Sequence, residues 1–108
     1  MKVNMTIALL LMFVFIGIAT AQEGAAGKAI FTPKCGICHG ADASGNTSIG
    51  KNLKIKDLHS PEVQNVSDAD LKAIIINGKN KMPAFKAKLT DVQIDQVLAY
   101  IREIGKGK

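Results

Sequence analysis

The chain has 108 residues and a formal net charge of +5; 47% of its residues are hydrophobic, but only 5% are aromatic and it has no Trp. This length supports one small domain rather than two, and the charge is far below that of a nucleic-acid-binding tail. The bulky aromatic residues beyond position 21 are Phe31, Phe85 and Tyr100. We therefore expect something besides the polypeptide to help build the core.

Residues 1–21 have the pattern of a secretory signal peptide. Lys2 provides the positive start, an unbroken apolar run covers residues 7–18, and small residues follow at 19–21. A retained membrane anchor is the alternative, but the run is short for a span of ~20 apolar residues. We predict cleavage of the signal and export of a mature domain, residues 22–108, to the periplasm, without stable membrane insertion. A thylakoid lumen or the extracellular side is the less favoured destination.

The first predicted helix is short and rich in Ala. It runs from Glu23 to about Thr32 and ends near Pro33. It delivers the chain directly to Cys35, where the most informative motif of the sequence begins.

Cys35, Cys38 and His39 form a Cys-x-x-Cys-His motif. A disulfide between the two cysteines would close a very small loop and would restrain little of the unfolded chain. A zinc site needs about four ligands, and His59 is the one further imidazole in the sequence. The motif fits covalent haem attachment, in which two thiols form thioethers and the imidazole becomes an axial iron ligand. Thiol-disulfide exchange is the alternative, although the β-rich pattern of that fold is missing.

Gly, Asn and Ser concentrate over residues 40–52, which we predict to be a loop. A short turn of helix is predicted at residues 60–63, with Ser60 as its cap and Pro61 at the first helical position.

Two longer helices have capping signals at their starts. Ser67 and Thr90 each form a capping box with the residue three positions later, and the two helices end at Gly78 and Gly105. The second of them carries apolar residues at a clear helical spacing. Because no segment has a convincing strand pattern, the sequence predicts an all-α fold of three main helices plus one short turn.

Met82 lies in the loop between these two helices and is the one methionine beyond the signal. Methionine usually fills a core, whereas Met82 is followed by Pro83, which restricts the local backbone. A loop thioether of this kind is suited to the second axial position of the iron. His59 is the other candidate ligand, and its ordinary interpretation is a solvated loop histidine.

These motifs resemble those of class I c-type cytochromes, of the small soluble monohaem type with His/Met ligation. The resemblance rests on four segments, which are residues 27–31 (GKAIF), 35–40 (CGICHG), 77–85 (NGKNKMPAF) and 98–101 (LAYI). It implies a small cytochrome c-like bundle around one covalently bound haem c, with the haem in a crevice between the attachment motif and the methionine loop.

The resemblance also implies that the first and last helices cross, with Gly27 and Phe31 meeting the face around Leu98 and Tyr100.

Two features depart from the family pattern. Many members have a Pro after the motif whose carbonyl accepts the histidine N–H, and the comparable residues 47–50 contain none. Many also have a Trp near a haem propionate, which this chain lacks; the candidates to replace it are Asn46, Lys51 and Asn52.

With His39 and Met82 on opposite sides of the iron, no position is left for a substrate, so we predict a single-electron carrier and not an enzyme. Basic residues near the ligand segments are expected to steer an acidic redox donor or acceptor. These residues are Lys34, Lys79, Lys81, Lys86 and Lys88. We expect a monomer that binds no nucleic acid. The alternative is an exported thiol-disulfide or haem-ligand-binding protein without Met82 ligation.

Overall fold

The computed structural model describes residues 22–107, so the predicted signal peptide lies outside the described residues. Within this range the helices are α1, whose described part is residues 22–34, α2 (Gly36–His39), α3 (Ser48–Leu53), α4 (Pro61–Gln64), α5 (Asp68–Asn77) and α6 (Asp91–Lys106). The all-α prediction is confirmed: in these residues the only extended pairing is an isolated bridge between Lys79 and Met82. None of the helices in this part of the chain is long and apolar enough to span a membrane.

The first helix ends at residue 34, next to Pro33, so its predicted end is confirmed. Cys35 donates its N–H to the Phe31 carbonyl (2.8 Å), which carries the helical path into the attachment motif. As a result, α1 and α2 are separated by a single residue.

The prediction of a loop over residues 40–52 is wrong at its end, where α3 forms. Thr47 caps this helix by accepting the Gly50 N–H at 2.8 Å. The predicted short turn is present as α4, but Ser60 does not cap it with its side chain. The Ser60 hydroxyl instead donates to the Asp57 carbonyl at 2.7 Å.

The caps of the two longer helices are present, with one difference. In α6, Thr90 and Gln93 form both bonds of the capping box. In α5, Ser67 accepts the Asp70 N–H at 3.2 Å, but Asp is shorter than the Glu or Gln that completes a box.

Gly105 does not end α6, which continues to Lys106. A Cβ at Gly105 would overlap the amide group of the Gln64 side chain. Gln64 in turn donates from Nε2 to the Ile101 carbonyl (3.0 Å) and the Leu58 carbonyl (2.7 Å). Gly105 therefore allows close packing of α4 on α6. In the sequence, a glycine at this position looks the same as one that ends a helix.

The core lies where α1 and α5 pack against α6. A Cβ at Gly27 would overlap the Gln96 carbonyl oxygen and lie 2.8 Å from Tyr100 Cβ, so the two helices cross with their backbones close together. Phe31 is 1% exposed, and its ring centroid is 5.3 Å from that of Tyr100. The contact between the first and last helices that the resemblance implies is present at Gly27, Phe31 and Tyr100, and Gln96 also lies against Gly27.

Candidate functional site

One cavity of about 400 Å³ opens beside the attachment motif, and this volume lies in the range of small-molecule and cofactor sites. Cys35, Cys38, His39 and Met82 all line it. The structure thus brings together the four residues that the sequence singled out, although Met82 is far from the others along the chain.

The attachment motif is wound into a tight helical turn. The N–H groups of Cys38 and His39 both donate to the Cys35 carbonyl, at 3.3 and 3.0 Å. The two cysteines do not form a disulfide with each other. Burial raises the pKa of Cys35 to about 11. A thiol-disulfide exchange nucleophile needs a lowered pKa, so this environment does not favour the alternative function.

His39 is partly buried, and burial lowers its pKa. Its imidazole is therefore neutral at physiological pH and has a lone pair to donate to a metal. Its Nδ1 atom is buried and has no hydrogen-bond partner among the described residues. An unpartnered buried nitrogen is costly in a purely structural histidine, so this ring is suited to bind a group that the polypeptide itself does not supply.

Residues 45–50 hold the backbone of the motif rather than the His39 ring. The Thr47 hydroxyl donates to the Cys38 carbonyl at 2.8 Å, and the Gly45 N–H donates to the His39 carbonyl at 2.6 Å. A Cβ at Gly50 would lie 2.8 Å from the same Cys38 carbonyl oxygen. This segment therefore fixes the turn that presents the thiols, a role that the sequence analysis missed although the Thr47–Gly50 spacing is a cap signal.

Met82 is partly buried and packs against the hydrophobic core as well as lining the cavity. His59 does not line the cavity. Its Nδ1 lies 2.6 Å from Asp57 Oδ1, and its backbone N–H donates to the same oxygen at 2.9 Å. The structure therefore separates the two candidate ligands, with Met82 on the cavity wall and His59 in a local pair with Asp57.

The walls of the cavity are mainly apolar, and most of their residues were not predicted from the sequence. They are formed by Leu53, Ile55, Leu58, Ile74, Pro83 and Phe85. Phe85 was singled out as a bulky aromatic and as part of the family resemblance. The residues between positions 53 and 58 have no helical periodicity, so nothing in their pattern placed them opposite the motif.

The lysines around the cavity differ in part from those predicted. Lys34, Lys79 and Lys81 line it, whereas Lys86 and Lys88 do not, and Lys88 Nζ lies 5.5 Å from the centroid of the Phe85 ring. Lys54 and Lys56 line the cavity without having been predicted. The three residues proposed to replace the missing Trp, which are Asn46, Lys51 and Asn52, are not buried and do not line it.

Two thiols, a neutral imidazole and a thioether on a largely apolar wall fit a covalently attached haem. Thiols of this spacing can provide attachment, an imidazole nitrogen and a thioether sulfur can serve as iron ligands, and the apolar residues can cover the porphyrin faces.

Comparison with known proteins agrees with this fit. Residues 22–101 match the family described as cytochrome C oxidase, cbb3-type, subunit III. The chain is 40% identical over 101 residues to cytochrome c6 of Rippkaea orientalis, with 84% of each chain covered. It is 37% identical over 89 residues to cytochrome c6 of Nostoc sp., covering 82% of this chain and 78% of that one. For cytochrome c6 of Synechocystis sp. the identity is 36% over 83 residues, covering 77% and 67%.

The matched family covers most of the chain, and these relatives exceed 30% identity over two thirds or more of it. The protein contains one covalent haem c and carries electrons between redox partners rather than acting as an enzyme. The chain thus belongs to the cytochrome c family, as a small class I c-type cytochrome.

Proposed function

We propose that Cys35 and Cys38 would hold the haem through two thioethers, each thiol adding across a vinyl group of the porphyrin, and that His39 and Met82 would be the protein ligands of its iron. The observation that carries this proposal is the convergence of the four side chains on one cavity. When bound, the haem supplies a reversible one-electron change at its iron.

The ligands and walls each have a defined role in this proposal. His39 is kept neutral by burial, which lowers its pKa, and it donates a nitrogen lone pair. Met82 donates a soft sulfur, which favours Fe(II) over Fe(III) and raises the reduction potential. Leu58 and Phe85 belong to an apolar wall that excludes water and disfavours the additional charge of the oxidised state. With His39 and Met82 both bound to the iron, the site would be suited to electron transfer and would leave no coordination position for a substrate.

We further propose that redox partners dock through acidic surfaces at the rim of the cavity. Four exposed lysines line the rim and have no ion pair within residues 22–107, namely Lys34, Lys54, Lys79 and Lys81. By contrast, Lys72 on α5 and Arg102 on α6 are paired with Asp95 and Asp68, at 2.8 and 2.7 Å. These four lysines place uncompensated positive charge where a partner would approach the haem.

The protein works in an exported compartment. We propose that this compartment is the periplasm, that residues 1–21 are the cleaved signal peptide, and that the mature chain from residue 22 is a monomer. The family match begins at residue 22, which supports the boundary.

The first experiment is an intact-mass measurement on the protein purified after export. We expect the mass of residues 22–108 plus one haem, and a denatured, reduced spectrum typical of a haem held by two thioethers. A haem-free chain would contradict the attachment proposal, and a mass that includes residues 1–21 would contradict the cleavage.

The second experiment measures oxidation by ferricyanide, an anionic probe, as a function of ionic strength. We expect the rate to fall with rising salt because screening removes the attraction of the lysine rim. Lys34→Glu should slow the reaction at low salt more than Lys28→Glu, since both lysines are exposed on α1 but only Lys34 lines the cavity. Equal effects of the two variants would argue against a localised docking rim.

A further inference from the structure

Met82 closes a two-residue turn whose hydrogen bonds are made within the polypeptide. Lys79 donates its N–H to the Met82 carbonyl at 3.1 Å, and Met82 donates its N–H to the Lys79 carbonyl at 2.9 Å. Asn80, the first residue inside the turn, has φ 54°. Asn tolerates this left-handed region far better than most residues, and β-branched residues tolerate it poorly. The backbone at Met82 is therefore fixed by two mutual bonds.

Gly78 directly precedes this turn and lies against its backbone. Its φ is 76°, and an added Cβ would lie 2.6 Å from the Met82 carbonyl oxygen and 2.9 Å from the Ala84 nitrogen. Both neighbours are backbone atoms, which cannot rotate away as the end of a side chain can. The path of the chain at Met82 thus requires a glycine at position 78.

The residues after Met82 are hydrogen-bonded to the C-terminal end of α5. Phe85 donates its N–H to the Ile75 carbonyl at 3.0 Å, and Lys86 donates to the Ile76 carbonyl at 3.2 Å. These carbonyls lie in the last turn of the helix, where no intrahelical partner remains. Phe85 is also buried, at 6% exposure. The turn is therefore held from both sides, by Gly78 before it and by Phe85 after it.

We propose that Gly78 and Asn80 are positioning residues for the Met82 sulfur, so that the polypeptide itself holds the thioether against the iron in both oxidation states. This inference rests on the proposed role of Met82 as a ligand. A soft thioether binds Fe(III) less well than Fe(II). The oxidised protein therefore depends most on a turn that keeps the sulfur in place.

The test uses the holoprotein and compares Gly78→Ala with Gly107→Ala. Gly107 has φ −80°, and a Cβ there would meet only the Ile104 carbonyl oxygen at 3.6 Å. We expect Gly78→Ala to favour conformations in which the turn is broken and the Met82 sulfur is no longer held in place. The equilibrium between the closed turn and these conformations should shift by roughly 5- to 30-fold. In the ferric protein this weakens the long-wavelength methionine-to-iron charge-transfer band and speeds the binding of added imidazole. The reduction potential falls, while the covalent haem and the helix content remain.

A second pair of variants covers the case in which Gly78→Ala does not accumulate. Asn80→Val disfavours the left-handed conformation and should weaken the band, whereas Asn80→Gly retains that conformation and should preserve it. Full retention of the band and the potential in Asn80→Val, or in Gly78→Ala, overturns the inference. Absence of the band in the unaltered protein is a different result, which overturns Met82 ligation itself.

Discussion

The two ligand-bearing segments are stabilised in different ways. The attachment arm, residues 35–58, presents His39 from a helical turn. The carbonyls of this turn accept hydrogen bonds from Gly45 and Thr47, while the His39 ring Nδ1 has no partner in the described chain. The methionine arm, residues 78–89, has no helix, and its backbone is fixed by mutual hydrogen bonds around Met82. This difference indicates a division of labour. In the proposed arrangement, covalent attachment fixes the histidine side, whereas the methionine side depends on a turn that is already formed.

The largest expected effect comes from removing the covalent attachment altogether. With both Cys35→Ser and Cys38→Ser, we expect no haem-bearing protein to accumulate and the remaining chain to be largely unfolded, because a small domain with few aromatics cannot fill the cavity left at the core. Absorbance and far-UV circular dichroism of the exported fraction measure this. Ile37→Ser is the matched control, since Ile37 lies between the two cysteines and is 67% exposed. A folded, haem-free double variant would show that the attachment arm does not depend on its thioethers.

Phe31→Ala tests the packing behind the attachment arm. The Phe31 ring lies 6.2 Å from the His39 ring and 5.3 Å from that of Tyr100, and it is 1% exposed. Deleting a buried aromatic ring costs about 3–5 kcal/mol, and denaturant unfolding of the holoprotein measures the loss. Val92→Ala, at a 66% exposed position on α6, should change the stability by less than about 0.5 kcal/mol. Similar values for the two variants would contradict the packing described for α1.

Thr47→Val tests whether the attachment arm can be weakened without affecting the methionine arm. It removes the hydroxyl that donates to the Cys38 carbonyl and accepts the Gly50 N–H. We expect a loss of about 1–3 kcal/mol in the free energy of unfolding, with the methionine charge-transfer band unchanged. Thr47→Ser keeps the hydroxyl and should retain most of the stability. Loss of the band in Thr47→Val would show that the arms are coupled, contrary to the division of labour.

The site residues could be predicted from the sequence because their chemistry demands fixed residue types. Cys35, Cys38 and His39 have a spacing that is characteristic of haem attachment, and Met82 stood out as a methionine in a loop. The longer helices were predictable for a similar reason, since a capping residue such as Thr90 acts locally. Each of these features depends on neighbours within a few positions.

Other features depend on what lies across the fold, and their sequence patterns were misleading. Helix α3 is the exception: residues 40–52 have the composition of a loop, and the local cap signal at Thr47 was missed. Gly105 resembles a helix stop, but it makes room for Gln64. Lys54 lines the cavity only because the chain after α3 returns past the attachment motif. The presence of lysines around the cavity could therefore be predicted from the sequence, but not which lysines they are.

The central claim is that His39 and Met82 are both ligands of one haem iron. The direct test is the ferric absorption spectrum and reduction potential of Met82→Ala, compared with His59→Ala and the unaltered protein. We predict that Met82→Ala loses the methionine-to-iron charge-transfer band and has a lower potential, because a soft ligand to Fe(II) is gone. His59→Ala should keep both, since His59 pairs with Asp57 away from the cavity. A band that persists in Met82→Ala, or an effect on the ligand field from His59→Ala alone, would contradict the account.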